Sequence, residues 1–247
     1  MRVVSVGSVL GVALLSAPAV AESPAQGFLY GLGGGVNQEI YRGFKKRIIP
    51  IPVIGYKGDR LTVFGPFMTY DILRYGNFTV TGHLAPRFAG FDASDSDYFL
   101  GMAKRKMSLD AGVGASLRQD NWLLEVSTLF DVLDNSNGFE AKTAISYGQQ
   151  VGAVRFEPKF SVDYSNSNLV DYYYGVRDNE ATATRAAYRG EGTINYSAGL
   201  SMSTALFFNG MSRLGFKHTW YGSGISNSPL THRDTGFSFS ASWSTMF

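Results

Sequence analysis

The side chains best suited to acid–base or metal chemistry in this sequence are three histidines, His83, His218 and His232. A histidine beside a serine or an acid can activate a nucleophile, and two histidines at i, i+2 or i, i+4 can hold a metal ion. No histidine pair has that spacing, the chain has no cysteine, and only His232 lies close in sequence to an acid and a serine, Asp234 and Ser228. The sequence therefore predicts no catalytic residue, no metal site and no cofactor.

A second chemical feature is a set of charged residues that recur at alternate positions opposite apolar ones. One interpretation is an aqueous channel in which rings of charge select the solute. The alternative is a packed interior in which opposite charges pair, and the nearly equal number of both signs favours it. The candidate residues are Lys106, Asp110, Glu125, Glu140, Lys142, Arg155, Glu157, Lys159, Asp163, Arg213 and Lys217.

Four tyrosines form the third candidate site, within a long polar stretch at 165–192. Three are consecutive, Tyr172, Tyr173 and Tyr174, and the fourth is Tyr188. Aromatic side chains are enriched where proteins recognise partners, but they also occur in packed loops and in the interfacial belts of membrane proteins. The sequence leaves these alternatives open.

The elements that would position these groups are β-strands, and the C-terminal segment shows the pattern most plainly. Its apolar residues alternate with Ser238, Ser240, Ser242 and Ser244, which is the two-residue period of a strand. An apolar face toward lipid and a small polar face toward a lumen are typical of a membrane β-barrel. We expect this segment to be the closing strand of the barrel and the insertion strand that the barrel-assembly machinery recognises. Its outward residues include Phe237, Phe239, Trp243 and Phe247.

The same alternation recurs along the chain and predicts one all-β domain, an antiparallel transmembrane barrel. About eleven strands can be counted, and bacterial barrels have even numbers, so twelve is favoured and ten is the alternative. The weakly patterned stretch 46–75 contains the uncertain strand, since Gly65-Pro66 interrupts Leu61 to Ile72. Longer connections are expected on one side of the membrane and tight turns on the other. The longer ones are 91–104, 133–138, 165–192 and 222–233, and the tight ones are 119–121, 148–152 and 207–210.

The N-terminus has the features of an export signal. Arg2 precedes a short apolar run, and Ala19-Val20-Ala21 has the small-x-small form of a cleavage site. We therefore expect residues 1–21 to be a signal peptide, residues 22–247 to be the barrel, and a Gram-negative outer membrane to be the location. A formal net charge of +2 gives no argument for nucleic-acid binding.

Several short motifs occur in a fixed order along the chain. They are G-x-G near the start of the first strand, Tyr41-x-Gly43, Pro50-x-Pro52 with Tyr56, Tyr173-Tyr174-Gly175-Val176, Tyr188, and Asn227-Ser228-Pro229. In these motifs the sequence resembles the MipA/OmpV family of outer-membrane proteins over nearly the whole exported chain. The family has no established catalytic residues, so the resemblance implies a protein that is not an enzyme.

The resemblance also implies partners. One family member is described as a scaffold between a lytic transglycosylase and a bifunctional penicillin-binding protein, so we expect a scaffold for cell-wall or envelope machinery. A narrow channel for small solutes and a surface adhesin are the alternatives, and an enzyme acting on outer-membrane lipid is a more remote one. Outer-membrane lipid and lipopolysaccharide would surround the barrel, and the basic run 45–47 could contact lipopolysaccharide phosphates.

Overall fold

The computed structural model describes residues 26–44 and 46–246. In it the alternating side chains lie on the two faces of one antiparallel sheet. The expected signal peptide and Phe247 lie outside these residues. The strands are β1 Gly27–Gln38, β2 Lys46–Lys57, β3 Leu61–Phe64, β4 Phe67–Tyr75, β5 Phe78–Arg87, β6 Ser108–Gln119, β7 Trp122–Asp131, β8 Phe139–Tyr147, β9 Gln149–Val151, β10 Val154–Ser165, β11 Thr193–Phe207, β12 Gly210–Trp220 and β13 Thr235–Met246. The helices are α1 Ser167–Tyr174 and α2 Ser223–Ser226.

The sheet closes into a barrel because its first and last strands pair. Strand β13 pairs with β1, where Trp243 lies opposite Leu32, and β10 pairs with β11 on the far side. Strands β8 and β9 pair with β10 in a single register on either side of Gly148, so together they form one strand of the wall. The thirteen segments therefore make a twelve-stranded barrel, which confirms the favoured count.

The weakly patterned stretch resolves into two short strands. Gly65 has a φ of +57°, a left-handed conformation that an L-residue rarely adopts, and Pro66 follows it. The chain therefore reverses between β3 and β4 instead of continuing as one strand from Leu61 to Ile72. Because this hairpin is short, β2 contacts β3 only through Gly55, Tyr56 and Lys57.

Apart from the Gly65-Pro66 turn, the tight turns lie on the side of the barrel that carries both termini, and the longer connections lie on the other side. The turn expected near Gly148 is displaced, because the strand resumes as β9 and reverses at Gly152, where φ is +58°. Between β11 and β12 the turn is two residues long, and Phe208 and Asn209 both have positive φ, as a type I′ turn requires. Short turns are periplasmic and long loops extracellular in barrels of this class.

The outward face is apolar and carries aromatic rings near both ends. At the periplasmic end Trp122 packs against Tyr147, with ring centroids 4.9 Å apart. At the extracellular end Phe139 packs against Tyr164 at 6.0 Å. Such girdles mark the two interfaces of a bilayer. Within the described residues, no helix combines the length and apolar character needed to cross a membrane.

The largest buried apolar cluster lies in the extracellular connections and not at the centre of the barrel. It comprises Tyr41, Phe91, Phe99, Met102, Val176 and Leu230. These residues come from four different connections, so packing among them ties the loops into one unit. We call this unit the cap; it consists of 39–44, 88–107, 166–192 and 221–234.

Candidate functional site

A cavity of about 290 Å³ lies inside the barrel. One side of its wall is apolar and includes Ile51, Val53, Phe67 and Ala85. The rest of the wall is rich in serine and carries the charged residues Glu125, Glu140, Lys142, Lys159, Arg213 and Lys217. Its volume is close to the lower limit of about 300–1,000 Å³ for small-molecule sites. The barrel therefore contains space for a small ligand and has two chemically different walls.

Opposite charges pair in this interior. Lys142 Nζ lies 3.0 Å from Asp163 Oδ1, and Lys159 Nζ contacts the Glu125 carboxylate. Nearer the periplasmic end Arg155 Nε is 3.7 Å from Glu157 Oε2. The period-two pattern places these side chains on the inner face. The first pair joins adjacent strands, the second spans β8, and the third lies along β10.

Arg87 is an interior cation outside the set of candidate charged residues. It lies at the end of β5 and is almost fully buried, and its guanidinium contacts the carboxylates of Asp110 and Glu140, the latter at 3.2 Å. Arg87 follows His83 and Ala85 at two-residue intervals, so the strand period alone could have placed it inside. Arg213 and Lys217 face the same interior from β12.

Lys106 differs from the other candidate charges. It precedes β6 and its side chain is exposed in the cap. Its backbone N–H donates to Tyr172 Oη at 2.8 Å, and its carbonyl accepts a hydrogen bond from Tyr173 Oη at 3.3 Å. Its backbone thus joins the connection before β6 to helix α1.

The tyrosine run forms the underside of the cap. Tyr173 is buried, and its backbone carbonyl accepts a hydrogen bond from Tyr41 Oη at 3.0 Å. The Tyr174 ring stacks on Tyr41 with centroids 5.3 Å apart. Tyr173 and Tyr174, together with Tyr221, line a second cavity of about 110 Å³ between the cap and the main cavity. Tyr172 is half-buried beside Lys106, so helix α1 covers the extracellular mouth with its aromatic residues.

A buried ion pair fixes the cap internally. Arg105 Nη2 donates to Glu180 Oε2 at 2.7 Å, and both side chains are almost fully buried. Burial alone would raise the pKa of Glu180. Hydrogen bonds from Arg105 and from the backbone N–H groups of Ala103 and Arg177 outweigh it and lower the pKa to about 2. Glu180 is therefore ionised in the folded cap at neutral pH.

A second buried pair joins the first connection to the barrel rim. Arg47 Nε lies 3.0 Å from Glu39 Oε1, and its other nitrogens donate to the carbonyls of Phe88 (3.1 Å) and Gly90 (2.8 Å). Burial raises the pKa of Glu39 to about 7, although Arg47 opposes the shift. Arg47 is thus not a surface cation for lipopolysaccharide as the basic run suggested, and Lys45 lies outside the described residues.

Each histidine is in a different environment. His83 faces the main cavity, and His218 faces outward beside Trp220 with ring centroids 4.5 Å apart. In the cap, His232 Nδ1 is 2.8 Å from the Ile40 carbonyl oxygen, and its Nε2 accepts from Arg233. Across residues 26–44 and 46–246 no three His, Asp or Glu side chains are arranged to hold a metal ion.

These groups lie in a twelve-stranded barrel. Its short turns are at the end that carries the two termini, and the folded cap is at the other end. The sequence model of a family described as MltA-interacting protein MipA matches residues 30–247. The chain belongs to the MipA family. The match covers every strand except the first residues of β1, so the family assignment applies to the barrel as a whole.

Individual relatives of the MipA family agree with this assignment. The protein YiaT of Escherichia coli (strain K12) is 31% identical over 194 residues, which are 76% of this chain and 74% of YiaT. The outer membrane protein Omp26La of Vibrio anguillarum is 28% identical and matches over 71% of this chain and 69% of its own. The MltA-interacting protein of Escherichia coli (strain K12) is 27% identical over 73% of each chain. This MipA-family chain is an outer-membrane protein.

Two solved structures align with most of this chain at low sequence identity. An outer membrane channel from Pseudomonas putida F1 is 12% identical and aligns with a TM-score of 0.45 over 94% of this chain and 99% of its own. The NanC porin is 7% identical, with a TM-score of 0.41 over 90% of this chain and all of its own.

Proposed function

We propose that this protein is a non-catalytic scaffold that holds a cell-wall enzyme at the periplasmic face of the outer membrane. The observation that carries the proposal is the cap. Its aromatic underside covers the extracellular mouth, and its ion pairs are buried and hydrogen-bonded. A barrel whose outer mouth is covered in this way is better suited to a structural role than to steady passage of solutes.

The chemistry of the interior supports the same proposal. Ion pairs join Lys142 to Asp163 and Lys159 to Glu125, so these side chains neutralise each other across strands. The dispersed histidines supply no acid–base constellation with a serine nucleophile. The interior is thus consistent with a packed barrel that has no hydrolytic activity.

The class of partner is suggested by a relative. One member of the family is named for its interaction with MltA, and family resemblance indicates a lytic transglycosylase as the partner, with a penicillin-binding protein as a further candidate. Such enzymes act in the periplasm, so the turns at the end of the termini are the surfaces that we propose to bind them. They include exposed Asp120 in the β6–β7 turn and Phe208, 85% exposed, in the β11–β12 turn.

Cross-linking in intact cells tests the proposal. The tagged full-length protein is cross-linked, purified and analysed by mass spectrometry, with an unrelated tagged barrel as the control. Enrichment of a lytic transglycosylase or a murein synthase over the control is the expected result. Recovery of only lipopolysaccharide and other barrels would overturn the scaffold.

A narrow channel is the second candidate, and the 290 Å³ cavity with cationic residues favours it. It requires the cap to move away from the mouth. Single-channel steps from the purified protein in a planar bilayer would support a channel, and a silent bilayer together with an enriched cell-wall enzyme would exclude it.

A further inference from the structure

The barrel wall is interrupted beside strand β2. This strand pairs with β1 along its whole length, but on its other side it reaches β3 only through Gly55–Lys57. Strand β5 likewise pairs with β4 only as far as Leu84, and the residues Ala85–Arg87 pair with β6 alone. In the part of the chain that the structure describes, residues 46–54 of β2 and residues 85–87 of β5 therefore have no strand paired to them on the sides that face each other.

The sequence keeps these two edges from pairing. Pro50 and Pro52 lie in β2, and Pro86 lies in β5. A proline has no N–H to donate to a neighbouring strand, and prolines in sheets are confined to edges and bulges. The Gly65-Pro66 turn ends the intervening hairpin below them, where the Gly65 N–H donates to the Ile54 carbonyl at 3.2 Å. The prolines prevent hydrogen bonding between these edges, and the short hairpin does not reach between them. Each of these features on its own favours an opening at this place.

Apolar side chains occupy the opening. Ile49 and Ile51 of β2 are buried against Phe67 of the hairpin, and Ala85 and Phe88 pack on them. The rings of Phe67 and Phe88 meet edge to face with centroids 6.2 Å apart. Contacts of this kind are non-directional, so they can separate without breaking a hydrogen bond.

The upper limit of the opening is formed by Arg47. Its guanidinium donates to the carbonyls of Phe88 and Gly90 and lies 4.6 Å from the Phe44 ring centroid. Side-chain contacts thus join β2 to the connection after β5, where a barrel strand would otherwise do so.

The main cavity lies directly behind this apolar cluster. Ile51, Phe67 and Ala85 belong both to the cluster and to the cavity wall. The charged part of the wall carries Lys142, Lys159, Arg213, Lys217, Glu125 and Glu140, of which Lys159 pairs with Glu125 and Lys142 with Asp163. A molecule entering from the membrane would therefore meet apolar side chains first and charged side chains, among them Lys217, beyond them.

We propose that this opening is a lateral portal between the bilayer and the cavity, and that it admits a small single-chain amphiphile with an anionic head group, such as a medium-chain carboxylate. The alkyl chain lies against Ile51, Phe67 and Ala85, and the carboxylate faces Lys217. The size of the cavity restricts the ligand to a short chain, because about 290 Å³ is small for a binding site. The cap can stay closed while such a molecule enters.

The absence of cysteine in the chain gives a direct test. Ala144 is buried on β8 and lines the cavity, so Ala144→Cys in the full-length protein, reconstituted in vesicles, places one thiol behind the portal. Its reaction with a decyl maleimide, which partitions into the bilayer, is compared with that of a charged, water-soluble maleimide. The portal predicts faster reaction with the decyl reagent than with the charged one.

Two variants with opposite expected effects on the labelling rate distinguish entry through the portal from a folding defect. Ala85→Phe fills the opening and is expected to slow decyl maleimide by roughly tenfold, whereas Phe88→Ala widens it and is expected to accelerate that reagent by a similar factor. The reaction rate of the charged reagent should be the same in both variants as in the protein that carries Ala144→Cys alone. The matched control is Ala198→Phe, which places the same ring on the lipid face of β11. Equal rates of decyl maleimide in all three variants, or parallel changes with both reagents, would overturn the portal.

Protection of the same thiol tests the head group. Decanoate is expected to protect Ala144→Cys more strongly than decanol, and Lys217→Gln is expected to remove the difference. Equal protection by decanoate and decanol in the protein that retains Lys217 would contradict the anionic head group. This readout does not depend on a cell-wall partner, so its failure is distinguishable from failure of the scaffold.

Discussion

Arg105 and Glu180 are 75 residues apart in sequence, yet the Arg105 guanidinium donates to the Glu180 carboxylate at 2.7 Å inside the cap. Arg105 lies near the end of the connection between β5 and β6, and Glu180 lies in the connection between β10 and β11. The same carboxylate accepts from the Ala103 and Arg177 backbone N–H groups. One buried acid therefore holds two extracellular connections together above the mouth.

Breaking this pair is expected to loosen the cap. Arg105→Met leaves the Glu180 carboxylate buried without its cation, which costs about 3–5 kcal/mol for a buried ion pair. The matched control is Lys104→Met, because Lys104 is an exposed cation next to Arg105 in sequence. Hydrogen exchange of the cap amides should accelerate in the first variant and remain close to the parent in the second. Equal protection in both would show that the pair does not hold the cap.

The cap is also expected to weaken in acid. The folded-state pKa of Glu180 is lowered from 4.5 to about 2. Its contribution to the stability of the cap is therefore complete above pH 4.5 and is lost as the pH falls toward 2. Cap-amide exchange, corrected for its intrinsic pH dependence, should therefore increase across this interval. Glu180→Gln should remove most of the increase. An unchanged pH profile in that variant would refute the assignment.

The interior pair of Lys142 and Asp163 is expected to couple energetically. Lys142→Met and Asp163→Asn should each lower the thermal stability of the barrel, and the double variant should be more stable than the sum of the two losses predicts. A coupling of about 1 kcal/mol is within the usual range for residues in contact. Heat-dependent migration on gels gives the unfolding temperatures for the cycle. Strict additivity would mean that the ion pair does not contribute.

Close packing of the barrel backbone gives a further prediction. A Cβ on Gly112 would lie 1.9 Å from the Thr128 carbonyl oxygen, whereas a Cβ on Gly82, in the neighbouring strand, would meet nothing nearer than 3.6 Å. Gly112→Ala is therefore expected to destabilise the folded barrel by about 1–3 kcal/mol, the usual cost of overpacking. Gly82→Ala is the control and should retain the parent's unfolding temperature. Similar losses in both variants would contradict this packing.

Strands were predictable from sequence where one face meets lipid and the other the interior. The serines opposite Phe237, Phe239 and Trp243 have the two-residue period, and β13 follows it. The period was weak in β2, because Ile49 and Ile51 face inward where most strands have polar or small residues. That loss of alternation is the signature of the apolar cluster at the portal.

The cap was not predictable, because its contacts join residues far apart in sequence and follow no period. Tyr41 packs on Phe99 and Tyr174, and Arg105 finds Glu180, only after the barrel has brought four connections together. The sequence left Tyr173 open between recognition, loop packing and an interfacial belt, and in the fold it is buried within the cap. Burial of a loop residue depends on tertiary packing and cannot be inferred from local spacing.

The scaffold is tested most directly by photo-cross-linking from defined positions in living cells. A photoreactive residue replaces exposed Asp120 in a periplasmic turn, and in a matched strain it replaces exposed Asn179 in the cap. The scaffold predicts that a lytic transglycosylase or a murein synthase is captured from position 120 and not from position 179. Capture from neither position, or equal capture from both, would contradict a cell-wall enzyme held at the periplasmic face.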